Sequence, residues 1–287
     1  MSFKRLEADD LLISADSVTA GAWSGNAPTI TSFFSSSTQE GASSGTYYLD
    51  VYETDPSTST TASVQFAVAF GDSEGSGSLL YDPGIEGKSP TSTVYGQFQN
   101  TVLGDEGNTF TFGGETPTVQ SIYVITIDRA KYKGNIFPGT MALTLTNGSD
   151  TVTLTDDSND VSSVVFNEAG RVFQVVSGSN GTATDLTPTG GVANGMTSAG
   201  SYGLFLPDIG TIILNTAALD LASSNGGIGL GTGFNNNTAD NNNRKIFQAI
   251  KDGTSFTLNS QENITSDYIF IRARNPKHTQ HLSLIHI

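Results

Sequence analysis

Apolar residues alternate with polar or small residues along most of this chain, and this period of two constrains the fold more than any other feature. In the stretch SVQFAVAFG the side chains of Val64, Phe66, Val68 and Phe70 fall on one face of an extended strand. The same spacing recurs at Tyr123-Ile125-Ile127, Met141-Leu143-Leu145, Val152-Leu154, Val172-Gln174-Val176 and Tyr202-Leu204-Leu206. The sequence therefore predicts a mainly β protein, with antiparallel sheets in a sandwich-like body and long polar loops.

A tight turn is predicted within TNGSD, between two of these strands. Asn147 and Gly148 both tolerate the positive φ that a two-residue hairpin turn requires. We expect a β-hairpin from Met141 to Leu154.

Three segments break the β pattern and predict short helices. The first runs from Ser89 to Gly104, and the second is NRKIFQAIKDG, which places Ile246, Phe247 and Ile250 on one face before Gly253. The third is weaker and begins at Asn215, a residue type that commonly caps a helix N-terminus.

The domain boundary indicated by the sequence lies near GGETPTVQS. It separates a mixed N-terminal region, residues 1–116, from a denser β-rich region, residues 117–277. Residues 278–287 are set apart as a tail.

The charge balance argues against two classes of partner. The formal net charge is -15, and Lys88 is the only basic residue between Arg5 and Arg129. Such a chain cannot neutralise a nucleic-acid backbone or an anionic lipid surface, and no apolar run has the roughly 20 residues that a membrane helix needs. Acidic residues near the N-terminus also do not fit a secretory signal. We expect no direct nucleic-acid or membrane binding.

Few catalytic chemistries are compatible with this composition. There is no cysteine, and His278, His281 and His286 are all the histidines of the chain. Residues 1–277 therefore offer neither a Ser-His-Asp nor a Cys-His catalytic set, and no histidine or thiolate metal ligand. We expect no enzymatic activity, no catalytic residue, no cofactor and no metal. A glycosidase with two catalytic carboxylates remains open, because the chain has 28 acidic residues.

The densest acidic group is TDDSND, with Asp156, Asp157 and Asp160. It lacks the glycine and the distal glutamate of an EF-hand loop, so it predicts a solvated turn and not a calcium site. The same interpretation applies to Asp72 and Glu74 in GDSEGSG.

Two further motifs have both a functional and a structural interpretation. Gly227, Gly229 and Gly231 in GGIGLGTG follow no Rossmann βα unit, so nucleotide binding is not expected. The aromatic residues Trp23 and the Tyr47-Tyr48 pair could stack on sugar rings, although core or interface positions are more typical of aromatics in a β protein.

The stretch SIYVITIDRAKYKGNIFPGTMALTLTNGSDTVTLTDDS, residues 121–158, resembles a segment of virion structural proteins from T4-like tailed phages, of the type that infects cyanobacteria. The matching positions are Val124 to Ile127, Tyr132, Ile136, Pro138, Gly139 and Thr140. Similar segments follow in the same order at residues 172–181, 202–220 and 243–275, and the N-terminal residues 1–14 are also similar. This group has no catalytic residues to transfer.

The resemblance implies a structural protein of a contractile phage tail, in the tail, baseplate or neck. It implies assembly with other virion proteins, homo-oligomers within the particle, and location in the virion. The alternative from the aromatic residues and polar loops is a β-sandwich adhesin that binds carbohydrate, such as a host-surface glycan.

The tail reads NPKHTQHLSLIHI. Leu282 to Ile287 match one translation frame of a transposon-end adaptor used in sequencing-library preparation. We therefore expect these residues to be non-native, with the native protein continuing beyond about Gln280.

Overall fold

The computed structural model describes residues 11–35, 47–77, 89–113, 118–184, 195–234 and 240–269. The expected tail, residues 278–287, lies outside them. The strands are β1 (Leu11–Gly21), β2 (Thr29–Ile30), β3 (Phe34–Ser35), β4 (Tyr48–Tyr52), β5 (Val64–Asp72), β6 (Ser121–Ile127), β7 (Asn135–Ile136), β8 (Ala142–Asn147), β9 (Asp150–Asp156), β10 (Val165–Asn167), β11 (Gly170–Ser179), β12 (Thr182–Ala183), β13 (Gly203–Leu206), β14 (Thr211–Asn215), β15 (Phe256–Thr257) and β16 (Asn259–Ile269). The helices are α1 (Pro90–Leu103), α2 (Thr216–Asp220) and α3 (Asp240–Gly253), and three single 3₁₀ turns span Ser24–Asn26, Arg129–Lys131 and Ser223–Asn225.

The described residues confirm the predicted mainly β fold. One large sheet has the order β2-β15-β8-β9-β11-β13-β14-β6-β5-β4-β3, with β10 and β12 also paired to β11, and a second sheet has the order β1-β16-β7. The assigned pairs are antiparallel, as expected of strands joined by tight turns.

The chain divides into two compact units. One contains the described residues between 19 and 261, and the other contains residues 11–18 and 262–269. These units differ from the regions 1–116 and 117–277 expected from the sequence, because β5 and β6, on either side of that expected boundary, pair over seven residues.

The large sheet curls around its main core. Phe66 of β5 and Phe256 of β15 belong to strands far apart in the sheet order, yet their ring centroids are 5.5 Å apart. Trp23 packs against both rings, at 5.8 Å and 4.8 Å, and its indole nitrogen donates a hydrogen bond to the Phe256 carbonyl. The inner face of the sheet is therefore closed by an aromatic cluster, and α3 adds Ile246 and Ile250 to the same core.

A second, smaller core lies on the outer face of the sheet. Alternate residues of β6 divide between the cores: Tyr123 and Ile125 face inward, whereas Ile122 and Val124 join the outer core. This explains why the central strands are apolar at almost every position. Helix α1 covers part of the outer face, and its Tyr95 joins the outer core. A Cβ at position 71 would lie 2.8 Å from the backbone nitrogen of Tyr95, so the close approach of α1 to β5 requires Gly71.

All three predicted helices are confirmed. Ser89 caps α1 by accepting from the Ser92 amide, and Gly104 ends it at φ 70°. Asn215 caps α2 by accepting from the amides of Ala217 and Ala218. Helix α3 ends at Gly253, as predicted.

The β8–β9 hairpin is confirmed, but its turn is shifted by one residue. Asn147 pairs with Asp150, so the two turn residues are Gly148 and Ser149, and of these only Gly148 has positive φ. An Asn-Gly turn with both residues at positive φ occurs instead at Asn180-Gly181, between β11 and β12.

Trp23→Phe should destabilise the protein by about 2 to 4 kcal/mol, because it removes the bond to the Phe256 carbonyl and leaves a void between two rings. Urea unfolding followed by far-UV circular dichroism measures this cost without relying on tryptophan fluorescence. Phe34→Leu, at a position that is 36% exposed, is the control and should cost less than about 0.5 kcal/mol. Equal costs for the two variants would contradict the closing role of the cluster.

Candidate functional site: a groove on the outer face of the sheet

The outer face of β4, β5 and β6 carries a groove beside α1. Two cavities of about 400 Å³ and about 470 Å³ share Ala67 and Thr126 in their linings, and we call the two together the outer-face groove. Its floor is set by strand register. Tyr48 pairs with Ala69, and Asp50 pairs with Ala67, which pairs in turn with Thr126. Small side chains at the centre of these rows leave the space that the cavities occupy.

One end of the groove is aromatic. Tyr47 and Tyr48 enter from β4 and the residue before it, and Phe98 enters from α1. Tyr48 is 49% exposed, whereas Tyr47 and Phe98 are partly buried against the outer core. Rings fixed on one side by the core and open on the other are suited to stacking on a ligand.

Neutral polar side chains share this aromatic end. Gln97 of α1 and Thr126 of β6 both line the cavity. Within the part of the chain that the structure describes, neither the Gln97 amide group nor the Thr126 hydroxyl has a hydrogen-bond partner. They are therefore available to a ligand.

The other end of the groove carries carboxylates. Asp50, Asp128 and Asp208 line it together with Arg129 and Tyr132. Burial, and to a smaller extent the nearby charge of Asp128, raises the pKa of the Asp50 carboxyl above its ordinary value. The Arg129 guanidinium is engaged locally, because it donates to the carbonyls of Tyr132 and Lys133 and lies over the Tyr132 ring at 4.6 Å.

Asp208 is held in a defined position at this end. Its carboxylate accepts from the Nη2 of Arg171 at 2.6 Å and from the Arg171 backbone amide at 2.8 Å. A bidentate arginine contact fixes the orientation of a carboxylate as well as its charge. The Asp128 carboxylate is also engaged, because it accepts from the backbone amide of Ala130 at 2.8 Å.

A separate cavity of about 600 Å³ is lined by Asp72, Glu74 and Asp220, together with the exposed ring of Phe234. The carboxylates of Asp72 and Asp220 stabilise the local backbone. Asp72 accepts from the amides of Glu74 and Ser76, and Asp220 accepts from the amide and hydroxyl of Thr232. This arrangement assigns structural roles to both side chains.

The acidic turns are less solvated than the sequence predicts. Asp72 is 3% exposed, and Asp156 is fully buried, with both carboxylate oxygens accepting from the Gly139 amide. The expectation of solvated turns is therefore wrong for these two residues, because each carboxylate satisfies backbone donors that would otherwise be buried without partners. Asp157 likewise accepts from the Gln174 amide. Among the described residues, no three acids or histidines are grouped so that they could hold a metal ion.

The aromatic residues considered for sugar binding lie in different environments. Trp23 is buried in the main core and cannot contact a sugar, whereas Tyr47 and Tyr48 line the outer-face groove. In the glycine-rich segment, Gly227 packs so closely on the Leu221 carbonyl that a Cβ would lie 2.0 Å from its oxygen. That glycine is required for backbone packing. The three histidines lie outside the described residues.

Sequence reasoning missed Phe98, Asp50 and Asp128 as parts of a site. The TYYLDVY stretch does alternate, which places Tyr48 and Asp50 on the face opposite to the buried Leu49 and Val51. That signal could have suggested a shared surface, but only the register with β5 and β6 brings the surface to Asp128.

A second notable surface is the terminal ribbon, which we define as residues 11–18 of β1 and 262–269 of β16. These strands are hydrogen-bonded neighbours in the smaller sheet. Its exposed apolar side chains are Leu12, Ile13, Val18, Ile264, Tyr268 and Ile269. Leu12 and Ile13 are adjacent in one strand, as are Tyr268 and Ile269 in the other, so both faces of the ribbon expose apolar groups.

No protein-family model, no curated protein and no solved structure matches this chain. In the part of the chain that the structure covers, none of the helices has the length and apolar character needed to traverse a lipid bilayer.

Asp72→Asn should stabilise the protein at neutral pH, because burial raises the pKa of Asp72 from 3.8 to about 6. The native state then holds the proton more tightly than the unfolded chain, so the charged carboxyl lowers stability progressively as the pH rises from about 4 to about 6. Asparagine keeps an acceptor oxygen for the two amides and carries no charge. We expect a gain of about 1 to 3 kcal/mol at about pH 7.5.

Urea unfolding of both proteins from about pH 3 to about pH 7.5 measures the effect. The difference between them should become small near about pH 3, below both pKa values, where Asp72 is mostly protonated in the folded and the unfolded states. A constant difference across the range, or a loss of stability in the variant at neutral pH, would contradict this role of burial.

Proposed function

We propose that this protein is a structural component of a tailed-phage virion, located in the tail, baseplate or neck and acting through protein–protein assembly. The observation that carries the proposal is the terminal ribbon. It supports a role in assembly. The resemblance of residues 121–158 and the later segments to virion proteins is the reason for proposing that the assembly is a phage particle.

The terminal ribbon is expected to have low stability when it is exposed to water. Two-stranded ribbons are only marginally stable without a covering layer, and exposed strand edges readily pair with another chain. Six large apolar side chains are exposed over its sixteen described residues. Burying them against neighbouring subunits would stabilise the ribbon and create a protein interface.

The charges of the ribbon favour particular neighbours. Its described residues include Asp16, Glu262 and Asp267 and no lysine or arginine. Association with another virion protein that presents apolar and neutral or basic groups is therefore favoured by charge. Homo-oligomers would have to separate these acidic side chains within the interface.

The body of the protein offers a further apolar surface for assembly. Val164, Val165 and Phe166 are exposed at β10, and Phe166 is 69% exposed. Strand β10 pairs with β11 through Phe166 and Arg171. Assembly in a particle would give both surfaces a partner.

Mass spectrometry of gradient-purified particles of the encoding phage should find this protein in a fixed ratio to tail proteins. The double substitution Ile13→Lys with Ile269→Lys, introduced into the phage genome, should reduce its incorporation at least about tenfold, because charged groups replace apolar groups at the interface. The melting temperature of the isolated variant should remain close to that of the wild type, since both positions are exposed.

Phe234→Lys is the matched control, because Phe234 is 53% exposed but lies outside the ribbon. Normal incorporation is expected for it. Absence of the wild-type protein from particles would defeat the proposed function, and normal incorporation of the double variant would remove the ribbon from it.

A further inference from the structure

We propose that the outer-face groove binds a neutral oligosaccharide, with one sugar ring stacked at the tyrosine end and further hydroxyls bound at the carboxylate end. This binding activity is separate from the assembly role of the terminal ribbon. It rests on the shape, lining and charge of the groove.

The size of the groove suits a chain of small rings. Its two cavities, of about 400 Å³ and about 470 Å³, fall in the range of roughly 300 to 1,000 Å³ that is typical of small-molecule sites. They meet at Ala67 and Thr126, where the floor carries only small side chains. A ligand can therefore extend across strands β4 to β6 without displacing the protein.

The tyrosine end provides stacking surfaces. A sugar ring has a face of C–H groups that packs on the electron-rich face of an aromatic ring, and Tyr47, Tyr48 and Phe98 offer such faces at one cavity. Two of these rings are braced by the outer core, so little conformational entropy is lost when a ligand stacks on them. A purely aliphatic lining would not provide flat faces on which a sugar ring can stack.

Polar groups along the groove match the hydroxyls of a sugar. Gln97 offers both a donor and an acceptor, and Thr126 offers a hydroxyl at the junction of the cavities. At the far end the carboxylates of Asp50 and Asp128 accept from hydroxyl donors. Each carboxylate accepts stronger hydrogen bonds than a neutral group does.

Charge selects the class of glycan. Three carboxylates and one guanidinium line the far end, and the guanidinium of Arg129 already donates to two backbone carbonyls. Sialylated, uronic or sulfated glycans would bring a negative charge to this end and be repelled, and the same holds for phosphates. Neutral glycans are therefore preferred, and their binding should depend little on ionic strength.

The linings distinguish this site from the protein-binding surfaces of the molecule. The exposed apolar groups of the terminal ribbon project from both faces of two strands, whereas the groove is concave and mixes aromatic and hydrogen-bonding side chains. A peptide segment is the main competing occupant, and it is one outcome of the test.

A glycan array probed with the labelled full-length protein identifies the ligand class. The best neutral glycan is then titrated by isothermal calorimetry or by ligand-detected NMR, because Trp23 is buried in the main core and its fluorescence would not report on the groove. Tyr48→Ala should weaken binding at least about tenfold, as expected for the loss of an aromatic ring that stacks on the ligand. Asp50→Asn should weaken it several-fold, because it replaces a charged acceptor.

Tyr268→Ala is the matched control: Tyr268 is 42% exposed, close to the value for Tyr48, but it lies in the terminal ribbon. It should leave binding unchanged, and thermal unfolding of all three variants verifies that they fold. The proposal is overturned if no neutral glycan binds, if only anionic glycans bind, or if Tyr48→Ala binds as the wild type does. It is also overturned if protein cross-linking shows a peptide segment occupying the groove. None of these results alters the particle measurement that tests the assembly role.

Discussion

The structure depends on the closure of the curled sheet by the Trp23, Phe66 and Phe256 cluster. These rings join strands that are distant in the sheet order, and the indole hydrogen bond to the Phe256 carbonyl fixes their relative position. An open sheet of this length would leave its inner face in water. Curling buries that face. Burial of the large aromatic side chains then provides much of the hydrophobic stabilisation of the fold.

Closure of the inner core determines which side chains of the sheet face outward. The inner core takes the large residues of β5, so the alternate positions Ala67 and Ala69 face outward. Among the described residues, helix α1 covers only part of that outer face, and its close approach to the sheet is at Gly71, at one end of β5. The uncovered part becomes the groove. The groove is thus a consequence of alternation in β5 combined with incomplete coverage by one helix.

Local sequence signals predicted the elements well, whereas long-range register determined the site. Alternation identified the strands, and Ser89, Gly104 and Asn215 marked helix ends, since these effects act within a few residues. The hairpin turn was misplaced by one residue because Asn147 joined the strand pairing instead. The burial of Asp156 could not be predicted, since its partner amide belongs to Gly139, 17 residues away. The groove likewise requires three strands in register.

The terminal ribbon and the outer-face groove suit different kinds of partner because their shapes differ. The terminal ribbon exposes apolar groups on both faces, so a small ligand could cover only a fraction of them, and only another protein surface can bury both. The groove is the reverse case: its space lies between Tyr48 and Asp128 above a floor of small residues, and a flat protein surface would span it without filling it. An oligosaccharide could occupy it, with one ring at the aromatic end and further hydroxyls at the carboxylate end. The assembly role and the glycan binding that we propose therefore depend on different residues, and either could be lost without the other.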